Sequence, residues 1–456
     1  MYLVKFMKKR TANQMPAVVS KITEWFLILL ASVYLLYTGF GGYVELTQHK
    51  LAMFLLLSVV FFAALVLLPL EYALTGEARL STLRPVISFC AAEYCLLVFL
   101  LFTFLSAALS PTPRAAFFGN LRNEGAMTFL LYVGICLSAS QFAAASKRLL
   151  AAFAIAVGLC CVLSLLQFLG GNPLSLYPSG MNYYDANKRY AGEFLGTIGN
   201  VDLFSAVLCI AIPTLWISLW KLRSPRRWWL ALPLALALAV LIKMHVLGGL
   251  VGVTVGTLFT VPNLLGQKRA RIAAWTAVIV LSAAALALIY AYGAFLGGLF
   301  SEASAVMHGK WNDAFGSGRI YIWRKTWELV PERLFFGGGP DTLGLRTDAL
   351  FERIDEAQQI QIRSFVDTAH NEYLNLLVNN GLLALLAYLA ALGLVFVKWV
   401  RHAAQNPAAA ICGGAVFAYA AQAFFGISSP ISAPFFWAAL GLLIGNCKEK
   451  TGGNGT

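Results

Sequence analysis

Two residues combine a suitable type with a suitable setting for proton transfer and anion binding: His370 and Arg319. His370 lies in Asp367-Thr368-Ala369-His370-Asn371-Glu372-Tyr373-Leu374-Asn375-Leu376-Leu377-Val378-Asn379-Asn380-Gly381. That stretch separates the longest polar segment from an unbroken apolar run, Leu382 to Val397. Asp367 or Thr368 suits an N-cap, because either side chain accepts from the orphan N–H groups of a first turn. His370, Tyr373, Leu374 and Leu377 then fall at i, i+3, i+4 and i+7, one face of a short amphipathic helix. Asn379-Asn380-Gly381 tolerates the left-handed conformation that ends it. A histidine at the positive end of a helix is held neutral and can accept a proton, while the same helix end suits a phosphate. The plainer alternative for His370 is an interfacial capping residue.

Arg319 belongs to Gly316-Ser317-Gly318-Arg319-Ile320-Tyr321-Ile322-Trp323-Arg324-Lys325-Thr326-Trp327-Glu328-Leu329-Val330, a Gly-Ser turn opening a helix. Ile320, Trp323, Trp327 and Val330 form the apolar face, and Arg324 with Glu328 makes an i,i+4 pair. A cation gains nothing from a helix start, so Arg319 makes sense there if it shares an anion with the N–H groups. Leu334-Phe335-Phe336-Gly337-Gly338-Gly339-Pro340-Asp341 then reads as a turn that permits close backbone approach. A second helix is expected over Thr342 to Ile362.

The elements that must position these residues are set by composition. Of 456 residues, 59% are hydrophobic and only 12% are charged. Apolar runs recur between about 22 and 446, most long enough to cross a hydrocarbon core of roughly 30 Å. Twelve can be counted, so the fold class is an all-α polytopic membrane protein. The expected division is nine transmembrane helices in 1–295, a large helical outer loop with an interfacial helix in 296–381, and three more helices with a cytoplasmic tail in 382–456. The basic first 21 residues lead into a full-length span, unlike a cleavable signal peptide.

Lysine and arginine placement gives the orientation. With the N-terminus inside, the cytoplasmic segments hold 20 of the 34 basic residues, against 6 in short outer connections. Both termini are then cytoplasmic, and 297–367 lies outside. The net charge of +13 is a topology signal rather than a nucleic-acid footprint, since no basic stripe occurs elsewhere. Cys90, Cys95, Cys136, Cys160, Cys161, Cys209, Cys412 and Cys447 sit in spans or at an inner end, so neither a disulfide frame nor a cysteine metal site is expected. No cofactor or metal is expected. Glu93, an acid about two turns into the third span, reads as a paired structural group.

The outer loop from about Gly170 to Asn200 interleaves Tyr183, Tyr184 and Tyr190 with amides and an acid. Such a loop suits sugar rings or, equally, an interfacial aromatic belt. Arg189 in that loop lies on the same side of the membrane as His370. Fixed cations on that face suit an anionic group such as a phosphate. Arg319 leads that role, with Arg189, Lys243 and Arg363 in support.

Gly199-Asn200-Val201-Asp202, Ser317-Gly318-Arg319 followed by Trp323, Phe336-Gly337-Gly338-Gly339 and His370-Asn371-Glu372-Tyr373-Leu374 together resemble the O-antigen ligase and polymerase superfamily. The resemblance implies a GT-C type bacterial membrane glycosyltransferase of the cytoplasmic (inner) membrane. It implies transfer of a glycan from undecaprenyl diphosphate to an acceptor hydroxyl on the outer face, without metal or nucleotide. The acceptor would be a glycan, lipid or protein, which leaves ligase, repeat-unit polymerase and protein O-oligosaccharyltransferase open. Carried to matching positions, Arg319 would bind the diphosphate and His370 would activate the acceptor. Asn200, Asn371 and Tyr373 would contribute to substrate binding. Where the family has a Ser-Arg-Gly-like motif, this chain has Lys243-Met244-His245-Val246-Leu247-Gly248-Gly249, so Lys243 or His245 would replace the arginine. A transporter or flippase is the rival class. It would need polar sites near the midplane, but the spans carry little beyond Glu93, Gln167 and Gln422.

Overall fold

The computed structural model describes residues 15–74, 87–178, 194–355 and 360–448. In chain order its helices are α1 (Met15–Leu29, continued by a π-helical turn Leu30–Tyr34), α2 (Leu46–Leu74), α3 (Ala91–Ala108), α4 (Pro113–Phe118) and α5 (Ala126–Phe142). There follow α6 (Lys147–Phe168), α7 (Val201–Lys221), α8 (Ala231–Met244), α9 (Leu247–Asn263) and α10 (Lys268–Leu296). A polar stretch carries α11 (Gly298–Met307), α12 (Phe315–Glu328), α13 (Leu343–Arg346), strands β1 (Leu350–Asp355) and β2 (Ile360–Phe365), and α14 (Glu372–Asn380). The chain closes with α15 (Leu382–His402), α16 (Pro407–Gln422) and α17 (Ala433–Asn446).

Eight helices among the described residues are long and apolar enough to cross a membrane. Four shorter apolar helices, α5, α9, α16 and α17, occupy the remaining positions expected from the sequence. All four pack against other helices of the bundle. α9 runs along α16, α5 along α17, and α16 against α7. The α9–α16 contact follows from the spacing of Gly248, Gly249, Gly252 and Gly256. A Cβ at Gly252 would meet Gln422 and the Ala418 carbonyl, so only glycine lets the backbones approach this closely. α7 is buried along most of its length. α10 leans on its neighbours with almost no buried surface.

The buried charges Glu93 and Lys50 are paired, as a low-dielectric interior requires. Glu93 sits at N3 of α3, in the first turn rather than two turns in. Its carboxylate accepts from the Cys90 N–H at 2.7 Å and Ser140 Oγ at 2.6 Å, and pairs with Lys448 at 2.9 Å. The expected paired role holds. The described cysteines are all free thiols. Lys50, fully buried, donates to the Tyr34 and Leu35 carbonyls at 3.0 Å, where the π-helical turn ends.

The polar stretch departs from expectation in two places. The helix expected over Thr342 to Ile362 is confined to α13. From Thr347 the backbone is extended, and β1 pairs antiparallel with β2, Leu350 opposite Phe365 and Asp355 opposite Ile360. In Leu350-Phe351-Glu352-Arg353-Ile354-Asp355 and Ile360-Gln361-Ile362-Arg363-Ser364-Phe365 the apolar spacing fits neither period cleanly, and their isoleucines and phenylalanines favour strand. The second departure concerns His370. Helix α14 begins only at Glu372, and its cap is Asn371, whose extended backbone lets Oδ1 accept from the Tyr373 and Leu374 N–H groups, both at 3.0 Å. Neither Asp367 nor Thr368 caps it. His370 therefore precedes the helix, in the left-handed region at φ 46°.

Candidate functional site

The α7 N-terminus, the α8–α9 junction, the start of α12 and the segment before α14 meet at one end of the bundle. Asn200 caps α7, its Oδ1 accepting from the Leu203 N–H at 3.0 Å, and this fixes Asp202 in the first turn. α12 opens through Gly316, Ser317 and Gly318, all left-handed at φ 61°, 58° and 85°. That reversal, anchored by the Gly316 N–H donating to Glu302 Oε2 at 2.8 Å, delivers Arg319 inward. The expected glycine-serine turn thus does the positioning, although one of its residues is a serine in a conformation that costs L-residues energy.

The Phe336-Gly337-Gly338-Gly339 turn packs against the far end of α14. The Gly338 N–H donates to the Val378 carbonyl at 3.1 Å and the Gly339 N–H to Asn379 at 2.8 Å, clamping the end of α14. A Cβ on Gly337, at φ 69°, would collide with the Asn379 and Gly381 backbone. The close approach expected of this turn is real, and its partner is the terminus of the helix that follows His370.

The α7 N-terminus, the α8–α9 junction, the start of α12 and the segment before α14 surround a cavity of about 580 Å³ lined by Asp202, His245, Glu302, Arg319, Asp367 and His370 among others. Asp202 stands between the two leading residues. Its Oδ1 is 3.5 Å from Arg319 Nη2 and its Oδ2 is 3.8 Å from His370 Nδ1. Arg319 also donates through Nε to the Phe425 carbonyl at 3.2 Å and through Nη1 to the Gly316 carbonyl at 2.9 Å. It is held in place by backbone while one edge is shared with a carboxylate. His370 Nδ1 is buried and makes no hydrogen bond. Burial, with the Arg319 and Arg122 cations nearby, pushes the imidazole well below its ordinary pKa, against the opposing pull of Asp202 and Asp367. The ring is neutral at physiological pH, as expected, but desolvation is the largest cause.

The sequence expectations divide at this cavity. His245 lines it, at the left-handed C-cap of α8. Lys243 does not: it is exposed, its amine 5.2 Å from the Phe168 ring centre. Asn200 and Asn371 are helix caps, and Tyr373 turns to donate to the Ala420 carbonyl at 2.6 Å. Arg363 is on β2, in register with Glu352. Arg189, with Tyr183 and Tyr184, lies outside the described residues.

Two residues were missed as participants. Asp202 stands out in the sequence only as part of a motif, and Arg122 is one of the six basic residues of the short outer connections. Arg122 reaches from the α4–α5 connection to Asp367, with Nη2 3.0 Å from Oδ1 and 2.9 Å from Oδ2, so that the Asp367 carboxylate faces the cavity already paired. Asp341, whose carboxylate accepts from the Asn120, Arg122 and Glu124 N–H groups, holds that connection in place. No spacing rule could find a contact between positions so far apart in sequence.

Beneath His370, the chain buries two acids. Glu372 accepts from Tyr419 Oη at 2.8 Å, and Glu124 from Tyr132 Oη at 3.1 Å and Ser428 Oγ at 2.5 Å. Burial raises the Glu372 carboxyl to about 8 and the Glu124 carboxyl to about 7. In His370-Asn371-Glu372, neighbouring residues thus face a cavity, cap a helix and bury a protonated acid.

The O-antigen ligase family profile matches residues 232–389. The match sets residues 232–389 with the O-antigen ligase/polymerase superfamily. The matched segment of this ligase-like protein contains His245, Arg319, Arg363 and His370, while Asp202 lies outside it. Members of this family are glycosyltransferase-like membrane enzymes that act on lipid-linked glycans and acceptors. No curated protein matches the chain. Among the described residues no group of histidine, cysteine and acidic side chains is placed to hold a metal ion.

Proposed function

We propose that this protein transfers a glycan from an undecaprenyl-diphosphate carrier to an acceptor hydroxyl at the Arg319–His370 cavity. We place the cavity on the outer face of the bacterial inner membrane, both termini inside, with twelve spans and residues 296–381 outside. The observation that carries the reading is the Arg319–Asp202–His370 arrangement on one cavity, an anion clamp and a neutral base sharing one carboxylate.

The chemistry follows from charge. The acceptor oxygen attacks the anomeric carbon, the bond from that carbon to the diphosphate oxygen breaks, and the electron pair leaves with the phosphate. Arg319 presents fixed N–H groups to that developing charge. The acceptor proton passes to His370, whose neutral ring is available without prior deprotonation. Asp202 supports both partners. As the ring gains its proton, closure of the 3.8 Å gap to Nδ1 would stabilise the imidazolium and leave Nε2 as the atom facing the hydroxyl. His245 is better placed than Lys243 to supply the position where the family has an arginine.

The test is reconstitution of the purified protein with a lipid-diphosphate glycan and a panel of lipid A-type, glycan and protein acceptors, read by product mass. A transferred glycan on one acceptor class is expected and distinguishes ligation, polymerisation and protein glycosylation. Movement of intact donor across the bilayer without any transfer product would replace the enzyme by a flippase. A reporter fused at Gly309 should read as external, and an internal signal there would overturn the topology.

A further inference from the structure

A second cavity, of about 370 Å³, lies at the opposite end of α7. Its lining on α7 begins at Ile210, so about 12 Å of helix separates it from Asp202 at the first cavity. Its walls come from α1, α6, α7, α16 and α17. Leu27, Leu30, Phe153, Ile210, Ala415 and Phe435, all buried, form an apolar interior. Leu30 and Ala31 belong to the π-helical turn of α1, where widened backbone opens space in an otherwise close-packed bundle. The volume is within the range of ligand sites, about 300–1,000 Å³, and far above the voids expected in a packed core.

The mouth differs from the interior. Ala145, Lys147 and Pro407 are exposed there. Lys147 is the one charged side chain among the described residues that line the cavity, and Arg148 follows it in sequence. The N-termini of α6, capped by Ser146, and of α16, capped by Asn406, both open onto this mouth. Their dipoles add positive potential to that of the lysine. A long apolar slot behind a cationic mouth, at the level where a membrane helix ends, matches one chemistry.

We propose that this cavity binds an acyl chain of an anionic phospholipid, in the leaflet opposite the Arg319–His370 cavity, with its phosphate at Lys147. The apolar walls select a hydrocarbon chain, and the cationic mouth selects a headgroup with net negative charge over a zwitterionic one. This site needs the chain to sit in a membrane but does not depend on glycan transfer or on which face is outside.

The test uses the full chain in phosphatidylcholine vesicles containing trace photoreactive phosphatidylglycerol or photoreactive phosphatidylcholine with identical acyl chains. Cross-linked peptides containing Leu150, Ile411 or Ala439 are quantified by mass spectrometry. The anionic probe should label them about fivefold more than the zwitterionic one, the effect of one lysine near a lipid phosphate. Lys147→Glu, at an exposed position, should abolish that preference without altering thermal unfolding. Ala439→Phe, which fills the slot, should suppress labelling by both probes. If Ala439→Phe does not fold, the headgroup comparison in Lys147→Glu decides alone. Equal labelling by the two probes in the parent, no labelling of these peptides, or an unchanged preference in Lys147→Glu would each overturn the proposal. The Gly309 reporter reads topology separately, so an inverted topology and a vacant lipid site give different results.

Discussion

The two ends of α7 are built on opposite terms. At the N-terminal end, Asp202, Arg319, His370, Asp367 and Arg122 are brought together by left-handed turns, caps and backbone hydrogen bonds. At the C-terminal end, the cavity is an apolar space with a single lysine at its mouth. Charged groups held in fixed positions need many local devices to hold them, and those devices occupy sequence: glycines, asparagines and serines in unusual conformations. An apolar slot needs only that five helices fail to meet. The polar end therefore leaves motifs in the chain, while the apolar end leaves none.

The sharpest way to break this contrast is His370→Ala. If the polar end performs acid–base chemistry, turnover per folded molecule should fall by about 10²–10⁴-fold, with donor affinity much less changed. Turnover and donor binding measured on one purified variant check this, and normal turnover would reduce the polar end to a packing feature. Arg319→Lys should have the next largest effect. Lysine keeps the charge but loses one charge-assisted hydrogen bond of the planar fork, about 1.5–3 kcal/mol, so transfer should drop about 10–100-fold at unchanged abundance. Parent-level activity would remove Arg319 from the diphosphate site.

Two smaller effects sharpen where the polar end stops and its support begins. Glu372 is raised from 4.5 to about 8, so the folded chain keeps a proton that the unfolded chain has released. Its stabilising contribution is full below about 4.5 and is lost as pH rises towards about 8. Glu372→Gln should flatten the upper part of that decline in thermal unfolding followed across pH. Glu124, raised to about 7, should sustain the lower part. Asn371→Ala removes two N-cap hydrogen bonds and should cost about 1 kcal/mol of stability. Its turnover loss should be far below that of His370→Ala, and an equal loss would make Asn371 a substrate ligand instead of a cap. Finally, chelation with EDTA should leave transfer unchanged, and loss restored by a divalent ion would require a metal at the cavity.

The sequence by itself determined the helical membrane class, the places of the apolar helices, the Gly-Ser entry to Arg319 and the close approach at Gly337–Gly339. Each of these is local: hydrophobic runs, glycine conformations and turn chemistry act over a few residues, and their cause is written next to their effect. It misplaced the start of α14, because Asp367, Thr368 and Asn371 are all plausible caps. The choice fell to Asn371, whose cap places the Glu372 N–H against the Ala423 carbonyl and its carboxyl against Tyr419. It misread 342–362 because the short apolar spacings there serve a hairpin as readily as a helix. Only the tertiary structure could set Asp202 between Arg319 and His370, join Arg122 to Asp367, or send Lys243 to the surface and His245 into the cavity. Those outcomes depend on contacts across a hundred residues or more of chain, or on which side of a helix terminus a neighbour packs, and no spacing in the sequence encodes either.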